Sequence, residues 1–180
     1  MFRYVALMRA INVGGRFVKK AALRAPFEQM GLQKVQTYIQ SGNVLFSSPE
    51  ADKAALEAQI EARLAESLGF TVDTMIRRED EMRELVGKRP FPPESIPDDA
   101  TLYISFLKTE PDDEQRQKLL AQSSQMDEFH IDGTHLFWLY RRHLGKSKFT
   151  NGKVERLLKM PATRRNLTTV NKLAEMLATL

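Results

Sequence analysis

The chain has 180 residues, enough for one large domain or two small ones with a sizeable apolar core. It contains no cysteine, which excludes disulfides, thiolate nucleophiles and cysteine-ligated metal centres and favours a reducing compartment. The net charge of +4 is unevenly spread, with +6 in residues 1–40, −10 in residues 41–140 and +8 in residues 141–180. If the two ends meet, they form a basic face for phosphates, nucleic acid or an acidic partner; an adjacent acidic middle would instead neutralise them.

The N-terminal sequence has no basic segment ahead of its first apolar run, unlike a signal peptide. No apolar stretch approaches the roughly 20 residues that a membrane span needs. The sequence therefore predicts a cytoplasmic protein with no membrane partner.

Apolar periodicity predicts a regular order of elements in the first half. In chain order they are a strand Arg3–Arg9, a helix Lys20–Met30, strands Val35–Gln40 and Asn43–Ser47, a helix capped by Ser48, and a strand Phe70–Arg77. The two middle strands form a hairpin across Ser41-Gly42, and Pro26 is expected to kink or shorten the first helix. This order is that of a ferredoxin-like split βαβ unit.

A short helix over Glu79–Val86 and four prolines between Arg89 and Asp99 follow. We therefore predict a first subdomain over residues 1–88, a linker over 89–100 and a second subdomain over 101–180. The second subdomain is predicted to contain a strand Thr101–Leu107, a helix Asp112–Gln122, a hairpin of Met126–Ile131 and Thr134–Tyr140 across Asp132-Gly133, and helices Lys153–Lys159 and Leu167–Leu177. It begins as a repeat of the first but is incomplete, and the fold class is α+β.

The strands carry apolar residues on both faces. The faces predicted to be open carry Tyr4, Ala6, Met8, Tyr38 and Leu45 in the first subdomain and Tyr103, Leu107, Phe137 and Leu139 in the second. These faces are too apolar for two separately solvated sheets. We therefore expect the two subdomains to pack together with the C-terminal helices.

A glycine pair, Gly14-Gly15, follows the first strand in the stretch "INVGGRFVKK". The pair lies between a strand and a helix, which is where phosphate-binding loops occur. Arg16, Lys19 and Lys20 would favour an anion there. The spacing matches neither the dinucleotide-binding nor the P-loop pattern, so a simple turn is the alternative.

A second basic motif, "ATRRNLTTVNKL", precedes the last helix. Asn166 is a candidate N-cap, with Arg164 and Arg165 solvated. Alternatively, an arginine fork beside a helix N-terminus binds a carboxylate or phosphate, in a field deepened by Lys146, Lys148 and Lys153.

The three histidines offer two further possibilities. His130 and His135 are expected to lie opposite each other in the hairpin, although two ligands do not make a metal site. His143 lies near Ser147 in a basic loop and is a candidate acid–base group, although no nucleophile motif accompanies it. No metal and no cofactor is predicted, and the catalytic residues stay unassigned.

The split βαβ order also occurs in the RNA recognition motif, which stacks bases on strand aromatics. The corresponding strand here, "SGNVLFSS", lacks the aromatic pair. Binding to a nucleic-acid backbone through the basic ends stays open.

Several motifs taken together, "ALMRAINVGG", "TYIQSGNVLF", "RPFP", "LYISFL" and "TRRNLTTVNKLAEM", resemble the bacterial family catalogued as domain of unknown function 1697. The matching positions are Arg9, Asn12, Gly14, Gly15, Tyr38, Gln40, Ser41, Gly42, Asn43, Thr163, Arg165 and Asn166. The chain departs from the family pattern at Ala10, at Pro26 and at Leu167-Thr168. The resemblance implies two ferredoxin-like subdomains and no established reaction, so no catalytic residue carries over.

The leading hypothesis is a binding protein that holds an anionic ligand in a basic groove between the subdomains. The ligand would be a phosphate- or carboxylate-bearing small molecule or a nucleic-acid backbone. The predicted binding residues are Arg9, Asn12, Gly14, Gly15, Arg16, Gln40, Asn43, Arg165 and Asn166. The alternatives are a hydrolase or transferase that uses His143 or a metal at His130 and His135, and a protein–protein interaction module.

Overall fold

The computed structural model describes residues 1–11, 17–38 and 42–180. Within them the chain forms two compact units. The first unit comprises Met1–Val86 and Asn171–Leu180, and the second comprises Gly87–Val170. Residues 171–180, which the sequence assigned to the second subdomain, thus group with the first.

The first unit is built on a four-stranded antiparallel sheet in the order β2-β3-β1-β4. Its elements are β1 (Phe2–Met8), α1 (Lys20–Gln29), β2 (Gln33–Tyr38), β3 (Asn43–Ser48), α2 (Lys53–Leu68), β4 (Thr74–Arg78) and α3 (Glu79–Gly87), which runs one residue past the unit. This strand order and the βαββαβ sequence are those of a ferredoxin-like fold, which confirms the prediction.

The second unit repeats the plan with a sheet in the order β6-β7-β5-β8. Its elements are β5 (Thr101–Leu107), α4 (Asp113–Leu120), β6 (Asp127–Asp132), β7 (His135–Tyr140), α5 (Asn151–Leu158) and β8 (Ala162–Asn166), followed by α6 (Leu167–Ala178), which continues into the first unit. The repeat is therefore complete. The sequence pattern misses β8 because two consecutive arginines, Arg164 and Arg165, interrupt any apolar alternation.

Two helix details differ from the sequence prediction. Asp52, and not Ser48, caps α2, because its carboxylate accepts from the N–H groups of Ala54 and Ala55 at 2.9 and 3.1 Å. Helix α1 runs through the buried Pro26 and covers almost the whole predicted range.

Gly42 immediately precedes β3, at the hairpin predicted across Ser41-Gly42, of which Ser41 lies outside the described residues. Its φ is +74°, and a Cβ there would lie 2.9 Å from the Cβ of Ile11. Glycine is therefore required at this turn for both conformation and space.

The core of each unit lies between its sheet and two helices. These are α1 and α2 in the first unit and α4 and α5 in the second. In the first unit, Tyr4, Ala6 and Met8 pack into this core with residues of α1 and α2. In the second unit, Tyr103 and Leu107 pack with residues of α4 and α5. The sequence prediction that these five side chains lie on the open faces is wrong, because both faces of each strand are apolar and alternation cannot distinguish them.

Candidate anion-binding site

The two units repeat the same backbone hydrogen bonds, which sets a residue-by-residue correspondence. In the first unit the N–H of Met8 donates to the carbonyl of Gly42 at 2.8 Å. In the second the N–H of Leu107 donates to the carbonyl of Thr134 at 2.9 Å. Leu107 therefore corresponds to Met8, and the first strands of the two units can be compared position by position.

The fourth strand of each unit lies at a sheet edge and receives a carboxylate from the preceding helix. Glu61 of α2 accepts from the N–H of Thr74 at 2.7 Å, and Glu155 of α5 accepts from the N–H of Ala162 at 2.9 Å. Glu155 therefore corresponds to Glu61, and Ala162 corresponds to Thr74.

A second glutamate covers the edge only in the first unit. Glu57, one helical turn before Glu61, accepts from the N–H of Ile76 at 2.9 Å. The corresponding residues of the second unit are Asn151 and Arg164. Helix α5 begins at Asn151, whereas Glu57 is the fifth residue of α2, so α5 lacks about one turn at its start.

Each fourth strand also carries one buried arginine. Arg77 and Arg165 are 4% and 7% exposed, and each donates through Nη1 at 2.9 Å to the carbonyl of the preceding residue. Arg165 also donates to the hydroxyl of Thr163 at 2.8 Å. Burial lowers the pKa of the Arg165 guanidinium to about 10, so the group is still charged at neutral pH.

The neighbouring position is apolar in the first unit and polar in the second. Ile76 lies opposite Ala6 across the β1–β4 pair, and both belong to the core. Arg164 lies opposite Ser105 across the β5–β8 pair. The missing turn of α5 and the polar pair coincide, so the two units differ in chemistry at this place.

Arg164 lies over two aromatic rings on the helix-facing side of the sheet. Its guanidinium carbon is 4.5 Å from the ring centre of Tyr103 and 4.7 Å from that of Trp138. Burial lowers the pKa of the guanidinium, which is only partly exposed. Cation–π contacts hold the group in place, yet among the described residues it has no ion pair and donates no hydrogen bond.

A hydrogen-bond network fixes the loop that precedes α5. The buried carboxylate of Asp127 accepts from the indole of Trp138 and from the hydroxyl of Ser147, each at 2.8 Å. The Ser147 hydroxyl in turn accepts from the N–H of Phe149 at 2.9 Å, and the Phe149 ring packs on Trp138. The loop is thus anchored to the aromatic cluster under Arg164.

The same loop and the first turn of α5 carry three lysines. Lys146 and Lys148 are exposed, and Lys153 places its ammonium 4.9 Å from the ring centre of Phe149. None of the three forms an ion pair with a carboxylate in the described part of the chain. Together with Arg164, they concentrate positive charge at this end of the second unit.

The comparisons with known proteins identify the family. A model of the family described as "Protein of unknown function (DUF1697)" matches residues 1–137. The chain belongs to the DUF1697 family. This confirms the resemblance seen in the sequence motifs, and Arg164 lies beyond the matched residues.

The DUF1697 chain is also similar to a solved structure, described as that of the conserved bacterial protein SP0830 from Streptococcus pneumoniae. The two are 28% identical with a TM-score of 0.78, and the alignment covers 99% of each chain. No curated protein matches the sequence. The function of the family is therefore open, and the whole-chain fold is shared with a bacterial relative.

Four residues of the predicted site lie in the described part of the DUF1697 chain. In the first unit, Arg9 places Nη1 3.7 Å from the carboxylate of Asp73, and buried Asn43 donates to the carbonyl of Tyr38 at 3.0 Å. In the second unit, Arg165 is buried, and Asn166 is exposed and accepts from the N–H of Thr169 at 2.8 Å.

This last contact confirms Asn166 as the N-cap of α6. The other predicted residues, Asn12, Gly14, Gly15, Arg16 and Gln40, lie outside the described residues. Arg164 is not among the residues predicted from the sequence, because without β8 the pattern does not place Arg164 and Arg165 on opposite faces of a strand.

The histidines do not form the predicted arrangements. His130 lies opposite Phe137 and His135 lies opposite Asp132, so the two histidines are not directly paired. The imidazole Nδ1 of His143 is 3.0 Å from Asp99, whereas the hydroxyl of Ser147 is bound to Asp127. His143 and Ser147 therefore do not form the nucleophile–base pair considered from the sequence.

The described residues contain no group of three or more histidine, aspartate or glutamate side chains that could hold a metal ion. None of their helices is both long enough and apolar enough to cross a membrane.

Proposed function

We propose that this DUF1697 protein binds a phosphate-bearing ligand at its second unit, with the Arg164 guanidinium as the main charged contact. The observation that carries the proposal is the placement of Arg164 over Tyr103 and Trp138 without a carboxylate partner among the described residues. A charged group that is partly removed from water and lacks a counter-ion is poised to accept one.

The chemistry of the site favours a phosphate. A guanidinium offers parallel N–H donors that match two phosphate oxygens. Lys146, Lys148 and Lys153 add long-range attraction that salt would screen. A small phosphorylated molecule and a nucleic-acid backbone both present this group.

We also propose that Arg9, Arg165, Asn166 and the other residues predicted from the sequence contribute to anion binding. That proposal does not depend on the Arg164 site. A cytoplasmic location also remains a proposal, supported by the cysteine-free composition.

The test uses the fluorescence of Trp138, the one tryptophan of the chain, whose ring lies 4.7 Å from the Arg164 guanidinium. Inorganic phosphate, a mononucleotide and a single-stranded oligonucleotide are titrated separately, at low and at physiological salt. We expect saturable binding of at least one of them, weakened by salt. A stronger response to the mononucleotide than to the oligonucleotide would identify a small molecule as the ligand class.

Two charge-matched variants locate the site. Arg164→Gln is expected to weaken binding about tenfold or more, since it removes hydrogen bonds to a charged group. Arg156→Gln removes an equal charge from an exposed position on α5 and should change affinity by no more than about twofold through screened attraction. Equal effects of the two variants, or no binding of any probe, would refute the proposal.

A further inference from the structure

We infer that the anion bound beside Arg164 is a phosphate that still carries a proton, such as the end of a phosphate monoester. Nucleic-acid phosphodiesters and sulfates, which have no such proton, would bind less well. The inference rests on the proposed function and specifies its ligand. It follows from a backbone donor and two side-chain atoms around Arg164 that have no partner among the described residues.

The first group is the backbone N–H of Arg164. Ala162, two residues earlier in β8, turns its N–H and its carbonyl toward the free edge of the sheet, where they bond to Glu155 and Asn151, each at 2.9 Å. Since edge groups recur at every second residue, the N–H of Arg164 faces the same edge. No acceptor in the described part of the chain meets it.

The first unit shows that an oxyanion suits this position. There the carboxylate of Glu57 accepts from the corresponding N–H, that of Ile76, at 2.9 Å. Asn151, which replaces Glu57, is one methylene shorter and uncharged. An oxygen of a bound phosphate would make at Arg164 the hydrogen bond that Glu57 makes at Ile76.

The second group is the Oδ1 atom of Asn151, which is buried and has no partner among the described residues. Its identity as an oxygen is fixed, because the other end of the amide bonds to the carbonyl of Ala162, which can only accept. Oδ1 can therefore only accept a hydrogen bond. A fully ionised oxygen would be repelled by it, whereas a P–OH group would donate to it.

The third group is the hydroxyl of Ser105, which is fully buried, also unpartnered, and directly opposite Arg164 in the β5–β8 pair. It can donate to a further phosphate oxygen. The Arg164 side chain forms no hydrogen bond or ion pair among the described residues, and the inference requires it to change rotamer so that the phosphate reaches Asn151 and Ser105. The resulting set of several donors and one obligate acceptor matches a singly protonated phosphate.

The decisive experiment compares three probes of equal charge at pH 5: methyl phosphate, methyl sulfate and dimethyl phosphate. The second pKa of a phosphate monoester is about 6, so all three are singly charged and only methyl phosphate has an O–H. We expect methyl phosphate to bind about tenfold or more tightly than the other two, because it alone satisfies the buried acceptor. The preference should shrink above pH 6, as methyl phosphate loses its proton.

Asn151→Ala should remove most of this preference by deleting the acceptor. The matched control is Gly152→Ala on the same turn, where a Cβ meets no atom closer than 4.0 Å and the preference should persist. NMR of the wild-type chain gives an independent readout. The backbone amide resonance of Arg164 should shift when methyl phosphate saturates the site.

The outcomes separate the inference from the proposed function. If all three probes bind wild type equally and Arg164→Gln weakens all three, the proposed function stands and the inference fails. An Arg164 amide resonance that stays in place at saturation, or a preference that survives Asn151→Ala, also overturns the inference. If no probe binds, or if Arg164→Gln changes nothing, the proposed function itself fails.

Discussion

Replacing Asp127 by alanine tests whether one buried carboxylate organises the aromatic cluster under Arg164. Asp127 is 8% exposed, and its carboxylate accepts hydrogen bonds from Trp138 and Ser147, each at 2.8 Å. The substitution leaves the indole N–H buried without an acceptor and releases the loop that the Ser147 hydroxyl anchors.

The magnitude follows from the two hydrogen bonds. Each bond to a charged acceptor is worth about 1.5–3 kcal/mol, and the Ser147 bond belongs at the lower end because that residue is partly exposed. We therefore expect the free energy of unfolding to fall by about 3 kcal/mol or more. Asp127→Asn keeps an acceptor for Trp138 and should cost only about 1 kcal/mol.

Urea unfolding followed by tryptophan fluorescence measures the effect. For a urea dependence of about 2–3 kcal/mol per molar, Asp127→Ala should lower the unfolding midpoint by roughly 1 M or more. Circular dichroism then measures urea unfolding of Asp127→Ala in a Trp138→Phe background. The loss of stability should be smaller there, because the indole donor is already absent. An Asp127→Ala midpoint within about 0.3 M of wild type would refute the reasoning.

Three further predictions concern other places in the fold. Gly42→Ala should lower the free energy of unfolding by about 2–4 kcal/mol, from a left-handed backbone and a Cβ placed 2.9 Å from a neighbouring side-chain carbon; urea unfolding measures it. Glu57→Ala should cost about 1–2 kcal/mol by leaving the N–H of Ile76 unpaired, and faster hydrogen exchange at that amide would confirm the cause. The hydrogen bond from Lys88 holds the pKa of Asp132 below its ordinary value, so this pair stabilises the fold above about pH 4 and the contribution is lost as the pH falls through the folded-state pKa. Urea midpoints of wild type and Lys88→Met should therefore differ at pH 7 and converge on acidification; a constant difference would contradict the assignment.

Much of the architecture could be predicted from the sequence, because seven of the strands alternate apolar residues or flank clear turn signals. The eighth, β8, could not, since Arg164 and Arg165 fall on opposite faces and neither is an apolar marker. The two arginines lie in different environments. Arg165 is buried, while Arg164 lies over Tyr103 and Trp138.

The candidate site depends on this missed strand. Asn166 could be recognised as a helix cap from its place before an apolar run, and the structure confirms it. Arg164 acquires its role from Tyr103 on β5 and Trp138 on β7, which are distant along the chain. The late start of α5 at Asn151 is visible only when the two units are compared by hydrogen bonds, because their sequences show no convincing identity.

The glutamates along β4 have a consequence for the behaviour of the protein in a crowded solution. An uncovered edge strand offers its backbone to any neighbouring chain, which leads to aggregation or strand exchange. In β4, Glu61, Glu57 and Glu81 occupy the N–H groups of Thr74, Ile76 and Arg78 in turn. A second molecule would have to displace three carboxylates before it could add a strand there, so this edge resists self-association without a proline or a bulge.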